Sequence, residues 1–503
     1  MKSIKRIIAL LLTAVMTMTM SVTAFAANTN CSLTVNVKDG QDLKGQTINL
    51  YKLFDVTTSK SGEKTNYAYT VNDTYKATLA TTLNIDASVK NEDFVKKVND
   101  LKDTNDAVQK FANDFTATAL KNKLSATTTS NKITEPKTSY DFNNLQPGYY
   151  LVYVTGGKEI QSSLVTVEKE TNTVNLKTEA PSITKTADKD TVSIGQVVKY
   201  TVTGSVPDTT GYAEYVYNIH DTLSNGLDFV NDANGTAVNG NTVKVSVAFK
   251  DATDESTAPT TATLDTTNNR KMSLDLSAWV RANQANKGKE FTVTYYAKVN
   301  KEAVVTEKNN ATLEYGNNPG DTTTTKPSEV KTPTYALDIN KTKAGTNARL
   351  AGAKFKLYKD STDSEANVIK VKGTNGNYVV DPTSDNTVFE SVASIDGKNY
   401  NLHVNGLAAG TYYLVETEAP AGYNKLTDSI VVKIAKSTDT DVNNWTISKD
   451  GTVETDKIID VENSTGSLLP STGGMGTIAF TVVAALLVLG VAVSFIRDRK
   501  REN

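Results

Sequence analysis

Three residues in the last third of this 503-residue chain stand where strand alternation calls for an apolar side chain. Side chains alternate faces along a strand with period two. In YALDINKTK that period groups Leu337, Ile339 and Lys341; in TYYLVETEAP it groups Tyr412, Leu414 and Glu416; in KIIDVENS it groups Ile459, Val461 and Asn463. The face with two apolar residues is the expected core face, so a lysine, a glutamate and an asparagine point inward together. Burying a charged lysine and glutamate is costly unless they are paired. Desolvation lowers the lysine's pKa and raises the glutamate's. A neutral amine beside a protonated carboxyl can attack the Asn463 side-chain carbonyl, with Glu416 polarising it and shuttling protons. Ammonia then leaves and an isopeptide bond remains. Parity alone equally allows three strand-end residues that reach solvent.

The same parity occurs upstream. Ile183 shares a face with Lys185; Tyr217, Ile219, Asp221 and Leu223 share one in YNIHDTLSNGL; Asn309, Ala311, Leu313 and Tyr315 share one in NNATLEY. Asn310 competes with Asn309 as an acceptor, and parity favours Asn309.

The elements that must position these residues read as strands. Thr, Asn and Val are abundant, Trp and His scarce, which favours β structure. LKGQTINLYK (residues 43–52) repeats as LAGAKFKLYK (350–359), and NNLQPGYYLVYV (143–154) repeats as NGLAAGTYYLVETEAP (405–420) if one residue is inserted. These are alternating strands joined by glycine turns, so the first and third regions share a sandwich-like unit. With that alignment Val37 falls at the Lys341 position and Tyr153 at the Glu416 position, so no such bond is expected in the first region. A different β-rich unit lies between, set off by TEAPSITK and the Thr/Pro-rich DTTTTKPSEVKTPT. Within NEDFVKKVNDLKDTNDAVQKFANDF, Phe94, Val95, Val98, Leu101, Val108 and Phe111 recur at helical spacing, predicting a small helical insert.

Composition excludes several functions. A formal charge of −2 gives no basic footprint for nucleic acid. With two histidines, His220 and His403, and no nucleotide loop, metal-ligand cluster or Ser-His-Asp set in the sequence, no enzyme, metal or cofactor is expected. The single cysteine, Cys31, can form no internal disulfide.

Both ends carry targeting features. Lys2, Lys5 and Arg6, an apolar stretch from Ile7 to about Val22, and Ala24-Phe25-Ala26 form the three-part layout of a secretory signal peptide. Residues 476–496 are apolar and long enough to span a bilayer, and Arg497, Arg499, Lys500 and Arg501 hold that end on the cytoplasmic side. An ordinary single-pass anchor is one reading. However, Leu469, Pro470, Ser471, Thr472 and Gly473 precede the span. LPSTG, span and basic tail together resemble the LPxTG sorting signal of Gram-positive surface proteins. That resemblance implies cleavage by sortase between Thr472 and Gly473, with the threonyl thioester passed to an amine.

LAGAKFKLYK followed by YYLVETEAPAGY resembles a CnaB-type immunoglobulin-like domain, whose YxLxET motif matches Tyr412, Leu414, Glu416 and Thr417. It implies a Lys341–Asn463 isopeptide bond with Glu416 as catalyst. The middle region is similar to the CnaA-like domain of pilin subunits, implying a Lys185–Asn309 bond catalysed by Asp221. The whole resembles the backbone subunit of sortase-assembled Gram-positive pili. Mainly β architecture is therefore expected, as tandem immunoglobulin-like sandwiches: a signal peptide (1–26), an N-terminal CnaB-like domain with the helical insert (27–180), a CnaA-like domain (181–333), a CnaB domain (334–465), and the sorting signal with one transmembrane helix and basic tail (466–503). In that family a lysine near the end of the first domain attacks the thioester of the next subunit. Lys177, in VNLK before the linker, occupies the matching place, though the family's YPK-type tyrosine and proline are absent; Lys169 and Lys189 are alternatives. The implied partners are sortase, identical subunits in a covalent polymer, minor pilins, peptidoglycan and, before sorting, the membrane. The implied location is the cell wall. A wall-anchored adhesin or minor pilin is the rival reading.

Overall fold

The structure is a computed structural model, and it describes residues 31–39, 41–61, 64–104, 106–155, 162–176, 180–210, 212–250, 257–362 and 364–466. The expected leader, Lys177, LPSTG and the 476–496 span lie outside the described residues. Among those described, no helix is long and apolar enough to cross a membrane. Two compact units form. One runs through Tyr335, the other from Ala336 onward, with short pieces Gly406–Ala408 and Ser437–Asn444 grouped with the first.

The first unit holds two lobes. In the N-terminal lobe a three-stranded sheet (Ser139–Leu145, Cys31–Asn36, Thr171–Asn175) faces a sheet built on Lys64–Val71, Ile48–Ser61, Gly148–Val154 and Ser163–Val167. The stretch GYYLVYV is apolar without alternation, and every residue of it is buried. A run of that kind needs cover on both faces. One face meets the sandwich interior of Leu33, Val35, Leu50 and Val152, and the other meets a helical layer through Leu151 and Tyr153.

That layer is the predicted insert, in more pieces than periodicity indicated. Helices Asn91–Asp100 and Ala107–Lys121 are separated by a 3₁₀ turn, Leu101–Asp103, with Thr104 extended and Asp106 left-handed at φ 61°. Phe94, Val98 and Phe111 are buried. A further helix, Lys76–Leu83, precedes them; its sequence KATLATTL has little helical patterning, and burial of Leu79, Ala80 and Leu83 holds it. Cys31 is packed in the sandwich core, where burial pushes its thiol pKa up.

The second lobe is a sandwich of alternating strands. One sheet orders Leu227–Val230, Glu290–Val299, Val197–Ser205 and Thr184–Ala187; the other orders Thr242–Lys244, Thr261–Leu264, Lys271–Asp275, Val216–Leu223, Lys308–Gly316 and Thr323–Thr324. The lobes meet where the Tyr153 hydroxyl reaches that of Tyr212 at 2.5 Å.

In the second unit, Val371–Thr374, Asn377–Val380, Leu402–Leu407, Tyr335–Lys343 and Ile458–Asn463 form one sheet; Phe389–Glu390, Lys354–Lys359, Gly410–Glu418, Ile430–Ala435, Thr446–Lys449 and Thr452–Glu454 form the other. Its opening strand runs parallel to its closing strand, with Lys341 beside Val461 and Lys343 beside Asn463. The N-terminal lobe repeats this pairing, with Val35 beside Val174.

Phe94 is fully buried and fixes the second helix to the sheet. Phe94→Ala should destabilise the N-terminal lobe by about 3–5 kcal/mol, read as a lower urea midpoint for the loss of helical circular dichroism.

Candidate functional site

The second unit encloses a lysine, a glutamate and an asparagine. Lys341, Glu416 and Asn463 are at most 2% exposed. Alternation puts them there: Tyr335, Leu337 and Ile339 precede Lys341 on the inner face, and Ile459 and Val461 precede Asn463. Lys341 and Asn463 belong to neighbouring strands of one sheet, and Glu416 reaches them from the facing sheet. The Lys341 Nζ lies 3.9 Å from Glu416 Oε1 and donates to the Val461 carbonyl at 3.2 Å. Glu416 Oε2 accepts from Asn463 Nδ2 and from the Leu426 backbone N–H, both at 2.8 Å. Asn463 Nδ2 also donates to the Asn424 carbonyl at 2.7 Å, so the amide nitrogen is held by two acceptors. Glu416 Oε1 and Asn463 Oδ1 are buried with no hydrogen-bond partner. Burial lowers the Lys341 pKa to about 8, against the pull of Glu416, so a reactive neutral amine is accessible near neutral pH.

The second lobe of the first unit holds a similar set with a different distribution. Lys185 comes from one sheet, while Asp221 and Asn309 come from adjacent strands of the other. Asp221 stands opposite Ala311 and Asn309 opposite Leu223, which places the two diagonally on one face. The Lys185 and Asp221 side chains have no solvent exposure, and Asn309 is fully buried. Lys185 Nζ donates to Asp221 Oδ2 and, at 2.6 Å, to the Tyr295 hydroxyl, which itself donates to Asp221 Oδ2. The ammonium also sits 5.0 Å and 5.2 Å from the ring centres of Tyr200 and Tyr295. Burial lowers the Lys185 pKa to about 8, opposed by Asp221, and pushes the Asp221 carboxyl up, opposed by Lys185. Both shifts move the pair toward neutral amine and neutral acid. The Asn309 amide lies against Tyr200, Asp221 and Tyr295 closely enough to perturb them, yet neither of its polar atoms makes an aligned hydrogen bond, and Asp221 Oδ1 is likewise without one. Asn310 is half-buried on the opposite face, beside Thr222 and Glu329.

Among the described residues of the N-terminal lobe no such set is enclosed, and the alignment of its repeat shifts by one. Ile48 stands opposite Val154, just as the equivalent Phe355 stands opposite Glu416, so Val154 and not Tyr153 occupies the glutamate position. The inserted residue in the sequence alignment is not needed. Val154 and Val37 pack in the sandwich interior, whereas Tyr153 faces the helices.

Sequence reasoning missed Tyr295, although Phe291, Val293, Tyr295 and Ala297 alternate inward in FTVTYYAKV and a hydroxyl there is conspicuous. It also missed a row on the outer face of the same lobe: Ser273 Oγ lies 2.8 Å from His220 Nδ1, and His220 Nε2 lies 3.0 Å from Glu314. Asn218 and Thr322 also donate to Glu314, and these contacts hold its carboxyl down to about 2. The row links three strands on a partly exposed sheet face. Of the other lysines considered, Lys169 is exposed in a turn and Lys189 bonds Asp188 and the Val197 carbonyl. Among the described residues no group of His, Cys, Asp and Glu is arranged to hold a metal ion.

Residues 335–458 match the SpaA family, a prealbumin-like fold domain, and residues 461–503 match the LPXTG cell wall anchor motif. The chain is 29% identical to the fimbrial subunit type 1 of Actinomyces viscosus over 204 residues, which are 37% of this chain and 36% of that protein. It thus spans about a third of that relative's length. The T6 backbone pilin of serotype M6 Streptococcus pyogenes is similar at 18% identity, covering 88% of this chain and 100% of that one, with a TM-score of 0.45. The major pilin SpaA of Corynebacterium diphtheriae is similar at 18% identity, 86% and 100% coverage and a TM-score of 0.46. The anchor motif marks the chain as one displayed on the Gram-positive cell wall. The relatives named are a fimbrial subunit, a backbone pilin and a major pilin.

Asn463→Ala removes the amide beside the buried Lys341 amine and leaves that amine nothing to condense with. Its pKa of about 8 lies below the value of about 10.4 in an unfolded chain. Between those values the unfolded state binds the extra proton, so the variant's stability should rise with pH by roughly 3 kcal/mol across that window and stay flat below it. Urea midpoints from pH 7 to 10.5 measure this.

Proposed function

We propose that the chain is the structural shaft subunit of a covalently polymerised surface pilus. Sortase would join Thr472 of one subunit to Lys177 of the next, and Lys341–Asn463 and Lys185–Asn309 isopeptide bonds would stiffen each subunit. The observation that carries this reading is the pair of enclosed Lys–acid–Asn sets in a chain that ends in a cell-wall anchor motif. A buried lysine and acid are a poor way to stabilise a core when left as an ion pair. Condensation removes the charge problem and gives the sandwich a covalent tie.

In each set the amine nitrogen forms a bond to the asparagine side-chain carbon, the bond from that carbon to Nδ2 breaks, and the nitrogen leaves as ammonia. Glu416 or Asp221 accepts the amine's proton and returns one to the departing nitrogen. Neither carboxyl is consumed. A tie between Lys341 and Asn463 closes a loop of more than a hundred residues, worth about 5 kcal/mol in the chain-entropy view. In the fibril its larger effect is mechanical, because tension along the chain passes through it. The anchor motif supports sortase as processing partner, with the membrane holding the precursor, peptidoglycan receiving the last subunit, and minor pilins completing the fibre.

The intact mass of the mature chain should fall short of the sequence mass by about 17 Da per bond, the ammonia lost in each condensation. Glu416→Ala and Asp221→Ala should each restore one such loss, and an unshifted wild-type mass would refute both bonds. In the native host, wall extracts should show a ladder of high-molecular-weight species that Lys177→Ala abolishes. A ladder that survives the change moves the acceptor to another lysine such as Lys169 or Lys189. A single wall-linked species in the wild type makes the chain a monomeric adhesin or minor subunit instead.

A further inference from the structure

The two enclosed sets differ in what touches the amine. Lys341 Nζ donates to the Val461 backbone carbonyl, a group that can accept a hydrogen bond but cannot carry a proton onward. Lys185 Nζ donates to the Tyr295 hydroxyl at 2.6 Å, and that hydroxyl in turn donates to Asp221 Oδ2. Tyr295 is fully buried and its ring stacks near that of Tyr200, 5.9 Å between centres, so the hydroxyl is fixed. No turn of the side chain is needed to connect the amine to the acid through it.

We propose that Tyr295 is a further catalytic residue of the Lys185–Asn309 condensation, a proton relay between the amine and Asp221. The inference rests on the reading of this set as bond-forming. In the first transfer the ammonium, which bonds both Asp221 Oδ2 and the Tyr295 hydroxyl, gives its proton to Oδ2 straight across the first contact or by way of Tyr295, which passes its own proton to Oδ2 as it takes one from the amine. The tyrosine is neutral before and after, and what remains is a neutral amine and a neutral carboxyl. The amine then attacks the Asn309 side-chain carbon, and the new C–N bond leaves an extra proton on the former Lys185 nitrogen. Tyr295 carries that proton toward Asp221 while Asp221 delivers one to Nδ2, the old C–N bond breaks, and ammonia departs. From the neutral pair, the sum is amine plus primary amide giving secondary amide plus ammonia, with Tyr295 and Asp221 returned to their neutral forms.

Burial and the neighbouring Asp221 hold the Tyr295 pKa well above its ordinary value, which keeps the hydroxyl protonated and able to donate throughout. The relay also suits the position of Asp221. Its Oδ2 is engaged by Lys185 and Tyr295, which leaves Oδ1, without an aligned partner, on the same sheet face as Asn309. When the amine turns from Asp221 toward Asn309, the tyrosine keeps a proton path open between them.

The test is the rate at which the bond appears in Tyr295→Phe, which keeps the ring and removes the relay. Synthesis of the full chain is stopped, samples are digested over time, and the cross-linked peptides joining Lys185 to Asn309 and Lys341 to Asn463 are quantified by mass spectrometry. Tyr295→Phe should slow the first on the order of a hundredfold, the usual scale of positioned proton transfer, and leave the second at the wild-type rate. Raising the pH from 7 to 9 should recover much of the loss, because the enclosed amine, whose pKa burial lowers to about 8, is then mostly neutral without the relay. A Lys185–Asn309 peptide that forms at the wild-type rate in Tyr295→Phe overturns the relay. A loss that pH does not recover overturns it too, since disturbed packing would behave that way. Absence of that peptide from wild-type chain defeats the bond-forming reading itself, a result distinct from either.

Discussion

The free energy of an amine shut away from water is the constraint on which the rest of this molecule turns. Lys341 and Lys185 each end a run of inward-facing apolar residues, and neither ammonium reaches solvent. Such a group must be neutralised, paired or consumed. Each lysine faces a carboxyl from the opposite sheet of its sandwich, so the spacing of two packed sheets, about 10 Å, is bridged by the long lysine stem and a shorter acid. The asparagine is the variable member. It sits on the amine's own sheet in the second unit and on the acid's sheet in the first. Bond formation would therefore staple neighbouring strands in one case and the two layers in the other.

The surroundings of the two amines differ accordingly. Around Lys341 the polar contacts come from the backbone: the Val461 carbonyl, with the Leu426 N–H and the Asn424 carbonyl fixing the acid and the amide. Around Lys185 they come from tyrosine side chains, whose rings also supply a favourable face for a cation. Edge-to-edge neighbours within a sheet bring backbone groups close to the site. At Lys185 the amine and the amide come from facing sheets, and tyrosine side chains furnish the contacts. In the first repeat Val37 and Val154 put apolar side chains where the other sandwich has its lysine and its glutamate.

Much of this was legible in the sequence because period-two alternation is a strict rule. It put Lys341, Glu416, Asn463, Lys185, Asp221 and Asn309 on inner faces, where the structure has them. Alternation does not say which sheet a strand joins, so the different placement of the two asparagines was not readable. It also fails where a strand is buried on both sides: in GYYLVYV every position is buried, alternation cannot set the register, and the pairing of Ile48 with Val154 sets it one residue from the sequence alignment. The helix Lys76–Leu83 escaped because tertiary burial, and not its threonine-rich sequence, holds it. The Ser273–His220–Glu314 row was hidden for a different reason: its members are brought together only by the lateral order of three strands.

The valines at Val37 and Val154 have a consequence for how force would travel. On the proposed attachment at Lys177, a pull from the neighbouring subunit enters the chain just after the last strand of the N-terminal lobe, Thr171–Asn175. With the proposed bonds in place it would run forward through Lys185, Asn309, Lys341 and Asn463 toward the anchor. On that attachment the N-terminal lobe would be a side branch carrying no load. A domain under no tension needs no covalent brace, and it is free to unfold and refold under stress without lengthening the fibre.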